Sequence, residues 1–321
     1  MVLEDIRRIG VVGAGLMGHG IAQIFASAGY AVDLYDVNPA TLEAAPNRIT
    51  ENFSPFIELG LATSEDLARC LSRVNLCHTL AEVCRGTQVI IEAILEDLAL
   101  KRSTFVEIER YAAAQTLLTS NTSAISITQI SEVLSGKGRF MGTHFWNPPQ
   151  VIPNVEVTKG RYTEDGAFDM VYALMQKVGK VPVRVLKDVP GFLGNRLQHA
   201  MWREAISLCE NGIASAEDID KVVKYGFGLR MPFIGPLETA DLAGLKLTED
   251  IHQYLFPYLE NSQTASPLVS KLVAEGATGV KSGKGFYEWP PERVKHLIQK
   301  RDTVLLSILR YVLGSTGSEP K

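Results

Sequence analysis

The 321-residue chain predicts an α/β fold, a doubly wound and mostly parallel sheet, followed by an all-α C-terminal domain. Three observations predict it. Short β-rich runs alternate with stretches of helical period through the first half of the chain. A glycine-rich turn separates the first of those runs from the first helix. Beyond residue 187 helical periodicity takes over.

The runs Ile9–Val12, Ala31–Tyr35, Val74–Cys77, Gln88–Ile91, Thr116–Ser120 and Phe140–His144 read as buried strands, and Val181–Val185 as one more. Gly20–Ala28, Thr41–Leu59 and Leu98–Ala114 carry the helical period between them. This alternation covers a parallel sheet on both faces. The character changes at Lys187-Asp188-Val189-Pro190-Gly191, after which Asn195–Glu210, Ala216–Tyr225, Leu237–Leu255 and Pro267–Glu275 read as helices. The expected division is a cofactor domain over 1–187, a helical domain over 188–313 and a flexible tail over 314–321.

Composition narrows the function. The chain is 46% hydrophobic and 21% charged, as soluble globular proteins are, and carries a formal net charge of −4. That charge argues against nucleic acid or an anionic membrane as partner. No run of apolar residues is long enough for a transmembrane helix, and Met1–Arg8 mixes acids with bases, unlike a secretory signal. A cytoplasmic location is expected. Cys70, Cys77, Cys84 and Cys209 match no common zinc spacing, so reduced thiols and no metal site are expected.

The first strand ends in Gly13-Ala14-Gly15-Leu16-Met17-Gly18, a GxGxxG turn that opens a helix. Gly13 permits the tight turn, Gly15 lets the backbone approach a pyrophosphate, and Gly18 lets helix and strand pack closely. Leu16 and Met17 complete the loop at the helix N-terminus, where free N–H groups favour an anion. Asp36 follows Gly18 by 18 residues and closes the second strand. A carboxylate there accepts hydrogen bonds from ribose hydroxyls and repels a 2′-phosphate, so NAD is the expected cofactor and the sheet is of the Rossmann type.

Three segments fall where strands of such a sheet end: Ser120-Asn121-Thr122-Ser123, His144-Phe145-Trp146-Asn147-Pro148-Pro149, and Val155-Glu156-Val157. Ligands of open α/β sheets bind beyond the carboxyl ends of the strands. Oxidising an alcohol needs a hydride acceptor and a proton acceptor; a neutral imidazole suits the second role. Glu156 can stabilise the resulting imidazolium if the Pro148-Pro149 turn folds its strand back beside His144. On spacing alone, His144 also fits a structural histidine, Glu156 an outward strand face, and the Ser-Asn-Thr-Ser cluster a helix N-cap.

With those blocks in view, the chain resembles the 3-hydroxyacyl-CoA dehydrogenase family over nearly its whole length. The resemblance rests on Gly13–Gly18, Glu92-Ala93-Ile94, Ser120–Ser123, His144–Pro148, Pro190–Leu197, Gly235-Pro236-Leu237-Glu238 and Lys284-Gly285-Phe286-Tyr287. It implies His144 as catalytic base, Glu156 as its acidic partner, Ser123 at the substrate oxygen and nicotinamide, and Asn195 in the substrate pocket. Glu96 and Lys101 match positions that border the cofactor, and Asn121 and Asn147 fall in motifs beside it. It further implies oxidation of an L-3-hydroxyacyl-CoA, a place in fatty acid metabolism, and a homodimer formed through the helical domain.

The departures concern the substrate. Coenzyme A carries phosphates that call for Lys or Arg, yet Asn52–Leu71 offers Glu58, Glu65 and Asp66 against Arg69 alone. The segment His144–Val157 and the run Arg230-Met231-Pro232-Phe233-Ile234-Gly235-Pro236 resemble a branch that acts on free hydroxy acids, the lambda-crystallin and L-gulonate 3-dehydrogenase-like branch. Carnitine- and pyridoxine-catabolite-like substrates belong with that alternative. On that reading Arg230 binds a substrate carboxylate through a bidentate pair. A cofactor-binding structural protein of the crystallin kind is the alternative from another class. Retention of His144, Glu156, Ser123 and Asn195 together speaks against it.

Overall fold

The structure, a computed structural model, describes residues 2–314. By its contacts the chain divides into two compact units, Met1–Arg196 and Leu197–Lys321.

The first unit opens with β1 (Arg8–Val12), α1 (Gly18–Ser27), β2 (Ala31–Tyr35), α2 (Pro39–Glu43), α3 (Ala45–Glu58), α4 (Ser64–Leu71) and β3 (Val74–Cys77). It continues with α5 (Leu80–Cys84), β4 (Val89–Glu92), α6 (Leu98–Tyr111), β5 (Leu117–Ser120), α7 (Ile127–Ser131) and β6 (Phe140–Phe145). Then come β7 (Asn154–Thr158), α8 (Asp165–Lys177) and β8 (Val181–Val185). The helix starts follow side-chain chemistry. Thr63 and Asp66 form a capping box on α4, Thr79 and Glu82 another on α5, and Asp97 caps α6 by accepting from Leu100 N at 2.7 Å.

The eight strands lie in the order β3-β2-β1-β4-β5-β6-β7-β8. Strands β1 to β6 pair in parallel, β7 runs antiparallel to β6, and β8 runs parallel to β7. Alternate strand residues feed opposite faces of the sheet. On one face Val11, Leu34, Ile91 and Val157 pack under Phe25 of α1, Phe53 of α3 and Phe168 of α8. On the other, Val12, Ile90 and Leu118 meet Val83 of α5 and Ile108 of α6. There Phe105 and Phe140 stand edge to face with ring centres 4.7 Å apart, a contact worth about 0.5–1.5 kcal/mol beyond its buried area. Cys70, Cys77 and Cys84 are free, buried thiols, and burial pushes Cys84 up to about 12.

The second unit is helical. Its elements are α9 (Gly194–Glu210), which begins in the first unit, α10 (Ala216–Tyr225), α11 (Pro236–Ala243), α12 (Leu245–Leu255), α13 (Pro267–Ala274) and α14 (Pro291–Gly314). None of α9 to α13 carries a buried side chain. Within the unit Glu210 Oε2 accepts from Ser266 Oγ at 2.8 Å, and Glu204 Oε2 accepts from Glu260 N at 2.7 Å.

Several expected elements need correction. The helix expected over Thr41–Leu59 is two helices that break at Ala44, with Pro46 in the first turn of α3, where its missing N–H costs nothing. The helix expected over Leu237–Leu255 breaks at Gly244, whose φ of +94° no helix accommodates. Gly314 is the last residue of α14, and residues 315–321 of the expected tail lie outside the described residues. Among the described residues no helix is long and apolar enough to cross a membrane, and no group of three or more His, Cys, Asp or Glu is placed to hold a metal ion.

Candidate active site

The glycine loop is built as a cradle. Gly13 has φ +103° and its N–H donates to Tyr35 O at 2.7 Å, so the chain turns sharply off β1. A Cβ on Gly18 would lie 1.6 Å from Gly13 O, so only glycine lets α1 start this close to the strand. A Cβ on Gly15 would meet nothing within 4 Å. Gly15 therefore faces open space where the backbone can approach a ligand. Leu16 beside it is exposed and Met17 half-buried. His19, buried in the first turn of α1, has Nδ1 2.6 Å from Gly15 O; the carbonyl only accepts, so Nδ1 carries the proton. Burial holds the pKa of His19 below its ordinary value, which favours the neutral ring.

Asp36 sits half-buried at the end of β2. Its Oδ2 accepts from Ala14 N and its Oδ1 from Asn38 N, each at 2.8 Å. Each oxygen keeps a lone pair for a ribose hydroxyl. The open face of Gly15, the N–H groups of the first turn of α1 and this carboxylate together fit NAD.

Beyond β4 lies a buried charged network. Glu92 is fully buried and accepts from Lys101 Nζ at 2.7 Å, Ser120 Oγ at 2.6 Å and Ile94 N at 2.8 Å. Burial drives its pKa up against the pull of Lys101. The Lys101 side chain is 1% exposed and also lies 3.4 Å from Glu96 Oε2. Glu96 Oε1 accepts from Thr122 Oγ1 at 2.6 Å and from the N–H groups of Ser123 and Ala124 at 3.0 Å. Thus Lys101 is spent on carboxylates, and Glu96 grips the loop that bears the exposed Ser123. Asn121 ties the neighbouring strand ends together, its Oδ1 accepting from Phe145 N at 2.8 Å.

The antiparallel register of β6 and β7 sets His144 opposite Glu156. His144 Nδ1 lies 2.7 Å from Glu156 Oε2. His144 is 5% exposed and Glu156 1%. The other oxygen, Oε1, accepts from Leu193 N at 2.8 Å and Gly194 N at 2.9 Å, at the start of α9. Burial pushes the Glu156 carboxyl up, but the hydrogen bonds from His144, Gly194 and Leu193 outweigh it and hold the pKa below its ordinary value. The ionised carboxylate only accepts, so Nδ1 of His144 carries a proton, and in the neutral ring the lone pair falls to Nε2. Next in the chain, Asn195 Nδ2 donates to Ser123 O at 2.8 Å. The sequence-predicted His144, Glu156, Asn195 and Ser123 are therefore brought together. Trp146 packs beside His144, with ring centres 5.2 Å apart, and Asn147 is exposed on the turn that follows. Arg230 belongs to the helical unit, exposed at the end of the short 3-10 turn Phe227–Arg230.

Sequence reasoning missed the N–H pair of Leu193 and Gly194. The clue was Gly194 itself: a Cβ there would lie 2.2 Å from Cζ2 of Trp146. It also missed Asp188, which accepts from Ser126 Oγ at 2.6 Å and Thr128 N at 2.7 Å and pins the linker to α7.

A dinucleotide cradle beside a buried histidine–carboxylate pair defines a nicotinamide-dependent oxidoreductase. Comparison with known proteins gives the particular family. The profile of the 3-hydroxyacyl-CoA dehydrogenase NAD-binding domain matches residues 8–189, and that of the family's C-terminal domain matches residues 191–289. The chain belongs to the 3-hydroxyacyl-CoA dehydrogenase family, and it is an NAD-dependent oxidoreductase acting on CH–OH. It is 40% identical over 287 residues to the "Probable 3-hydroxybutyryl-CoA dehydrogenase" of Bacillus subtilis, covering 89% of this chain and 98% of that one. It is 32% identical over 309 residues to the 5-formyl-3-hydroxy-2-methylpyridine 4-carboxylate 5-dehydrogenase of Mesorhizobium japonicum, covering 96% and 99%. A crystal structure of a dehydrogenase of that pyridine acid, described as an NAD+-dependent dismutase, superposes with a TM-score of 0.89 at 32% identity, covering 96% of this chain and 99% of that one.

Proposed function

We propose that the protein oxidises the 3-hydroxyl of an L-3-hydroxyacyl thioester of the 3-hydroxybutyryl-CoA kind to the 3-keto product. The observation that carries this reading is the connected run from His144 through Glu156 to the N–H pair of Leu193 and Gly194. Bound NAD supplies the hydride acceptor. Gly13, Gly15, Leu16, Met17, Gly18 and Asp36 would hold it, with Asn121, Ser123 and Asn147 toward its nicotinamide end.

Nε2 of His144 takes the hydroxyl proton. Glu156 holds the ring in that tautomer and balances the charge it gains, while its second oxygen stays anchored to the α9 backbone, so the pair does not reorganise as the proton moves. The Ser123 hydroxyl and the Asn195 amide hold the substrate oxygens. Residues 1–187 serve as the cofactor domain and 188–313 as the substrate and dimerisation domain.

A second reading, a free hydroxy acid as substrate, has specific support. Arg69, the lone cation of Asn52–Leu71, is ion-paired to Asp66, so that segment offers little to the phosphates of coenzyme A. The pyridine-carboxylate dehydrogenase matches nearly the whole chain. On this reading Arg230 anchors the substrate carboxylate.

One experiment tests both. Wild type, His144→Gln and Arg230→Ala are assayed at fixed NAD with 3-hydroxybutyryl-CoA, 3-hydroxybutyrate and gulonate. The first reading expects kcat/KM roughly 100-fold or more in favour of the thioester. The second expects the reverse, with KM for the acid raised in Arg230→Ala. Both expect His144→Gln to lose about 10³-fold or more in kcat and to bind NAD normally. Near-normal turnover in that variant removes His144 as the base. No turnover by wild type with any of these substrates points to a hydroxy acid outside the panel, of the carnitine or pyridine-carboxylate kind.

A further inference from the structure

Between β6 and β7 the chain makes a tight turn through Trp146–Pro153. Within it Val151 N and Ile152 N both donate to Pro148 O, at 3.0 and 2.9 Å. Two outside contacts hold this turn. On one side Pro149 packs against α1: a Cβ on Gly20 would lie 2.6 Å from Pro149 Cγ. On the other is Lys180, the residue before β8. Its Nζ donates to Pro149 O at 2.5 Å and to Ile152 O at 2.9 Å, and the residue is 9% exposed. The next residue extends the seam, Val181 N donating to Pro153 O at 2.9 Å.

A buried ammonium on two carbonyls is an expensive way to close a turn, because its desolvation is offset only by neutral acceptors. We propose that Lys180 is a positioning residue, whose ammonium clamps the Trp146–Pro153 turn against α1 and so holds the β6–β7 register in which Glu156 meets His144. The proposal rests on the reading of His144 as base for its effect on turnover, though not for its effect on the turn. A slip of this hairpin would carry Glu156 away from Nδ1 and Trp146 away from Gly194, and both are needed to place the lone pair of His144.

The clamp has a pH dependence of its own. Burial pulls the Lys180 ammonium down to about 8, and no neighbouring charge contributes. The charged groups that line the same cleft are Lys177 on α8, Asp66 and Arg69 on α4, and Arg73 beyond it; α1 and α3 contribute only uncharged side chains there. Above pH 8 the amine still donates hydrogen bonds but loses its charge, so the grip on the carbonyls weakens.

The test compares wild type with Lys180→Met, and with Lys180→Gln should the methionine variant fail to fold. Hydrogen–deuterium exchange over the turn reports the clamp without any substrate. Exchange at Val151 and Ile152, corrected for intrinsic rate, is expected to rise about tenfold in the variant at pH 7, and to rise in wild type between pH 7 and 9. In steady-state assays with the substrate preferred in the panel, kcat should fall roughly tenfold, with a smaller change in KM for NAD. A fall in the wild-type profile near pH 8 should be missing from the variant. Unchanged exchange in the variant overturns the clamp. Faster exchange with unaltered kcat and pH profile overturns its link to His144. Failure of the His144 reading shows separately, as turnover in His144→Gln.

Discussion

At Glu156 burial and hydrogen bonding pull in opposite directions, and the outcome decides what His144 can do. Were burial to win, the carboxyl would be protonated and could donate to Nδ1, leaving the wrong nitrogen free. The donors from His144, Gly194 and Leu193 win instead, so the pKa lies below its ordinary value of 4.5. A depressed folded-state pKa contributes stability at pH above the unfolded value, which is lost as pH falls through the folded one. Glu156→Gln should therefore lose part of the acid-side slope of stability. It should also lose turnover, because either amide orientation fails. An NH2 toward Nδ1 imposes the wrong tautomer, and an NH2 toward α9 sets donor against donor. We predict a fall in kcat of about 10²–10⁴-fold with NAD affinity unchanged, measured by steady-state kinetics and calorimetry. Turnover within about threefold of wild type would remove Glu156 from this role.

Among the elements, α9 presents its start to the Glu156 carboxylate and, on the proposed reading, α1 presents its own to the cofactor, and glycine sets both approaches. At α1 the space outside Gly15 is empty, whereas Gly18 touches Gly13 O. Gly15→Ala should leave the thermal midpoint unchanged and weaken NAD binding about tenfold or more, since the methyl occupies only the ligand's space. At α9 the anion is Glu156. Gly194→Ala forces Trp146 or the helix start to move, which should cost about 1–3 kcal/mol in urea unfolding and lower kcat together with stability. A Gly15→Ala variant that melts early, or a Gly194→Ala variant of normal stability and turnover, contradicts these assignments.

For the whole molecule, the helical unit poses a question of burial. Trp202, Tyr225, Phe227, Leu242 and Tyr254 are all exposed, and α9 to α13 bury no side chain. Helices with so much apolar surface in water call for a covering partner. A second copy satisfies this by symmetry, in keeping with the homodimer proposed on family grounds. Sedimentation velocity at micromolar concentration should show a species of twice 35.2 kDa. A monomer under those conditions rules out the dimer.

The sequence by itself determined the cofactor turn and the strand–helix alternation. These are local signals: Gly13 to Gly18 and Asp36 act within one β–α–β unit, and hydrophobic period depends only on near neighbours. It was also enough to place the chain in its family, through short blocks in order. It could only make the pairing of His144 with Glu156 conditional on a folded-back turn, and the antiparallel register of β6 and β7 supplied that condition. What closes the site came from tertiary structure alone: the N–H pair of Leu193 and Gly194 on Glu156, Asn195 on Ser123, and Lys180 over the turn. The first of these joins residues 37 and 38 positions apart, and the second residues 72 apart. Their partners include backbone groups, which every residue carries and no motif can mark.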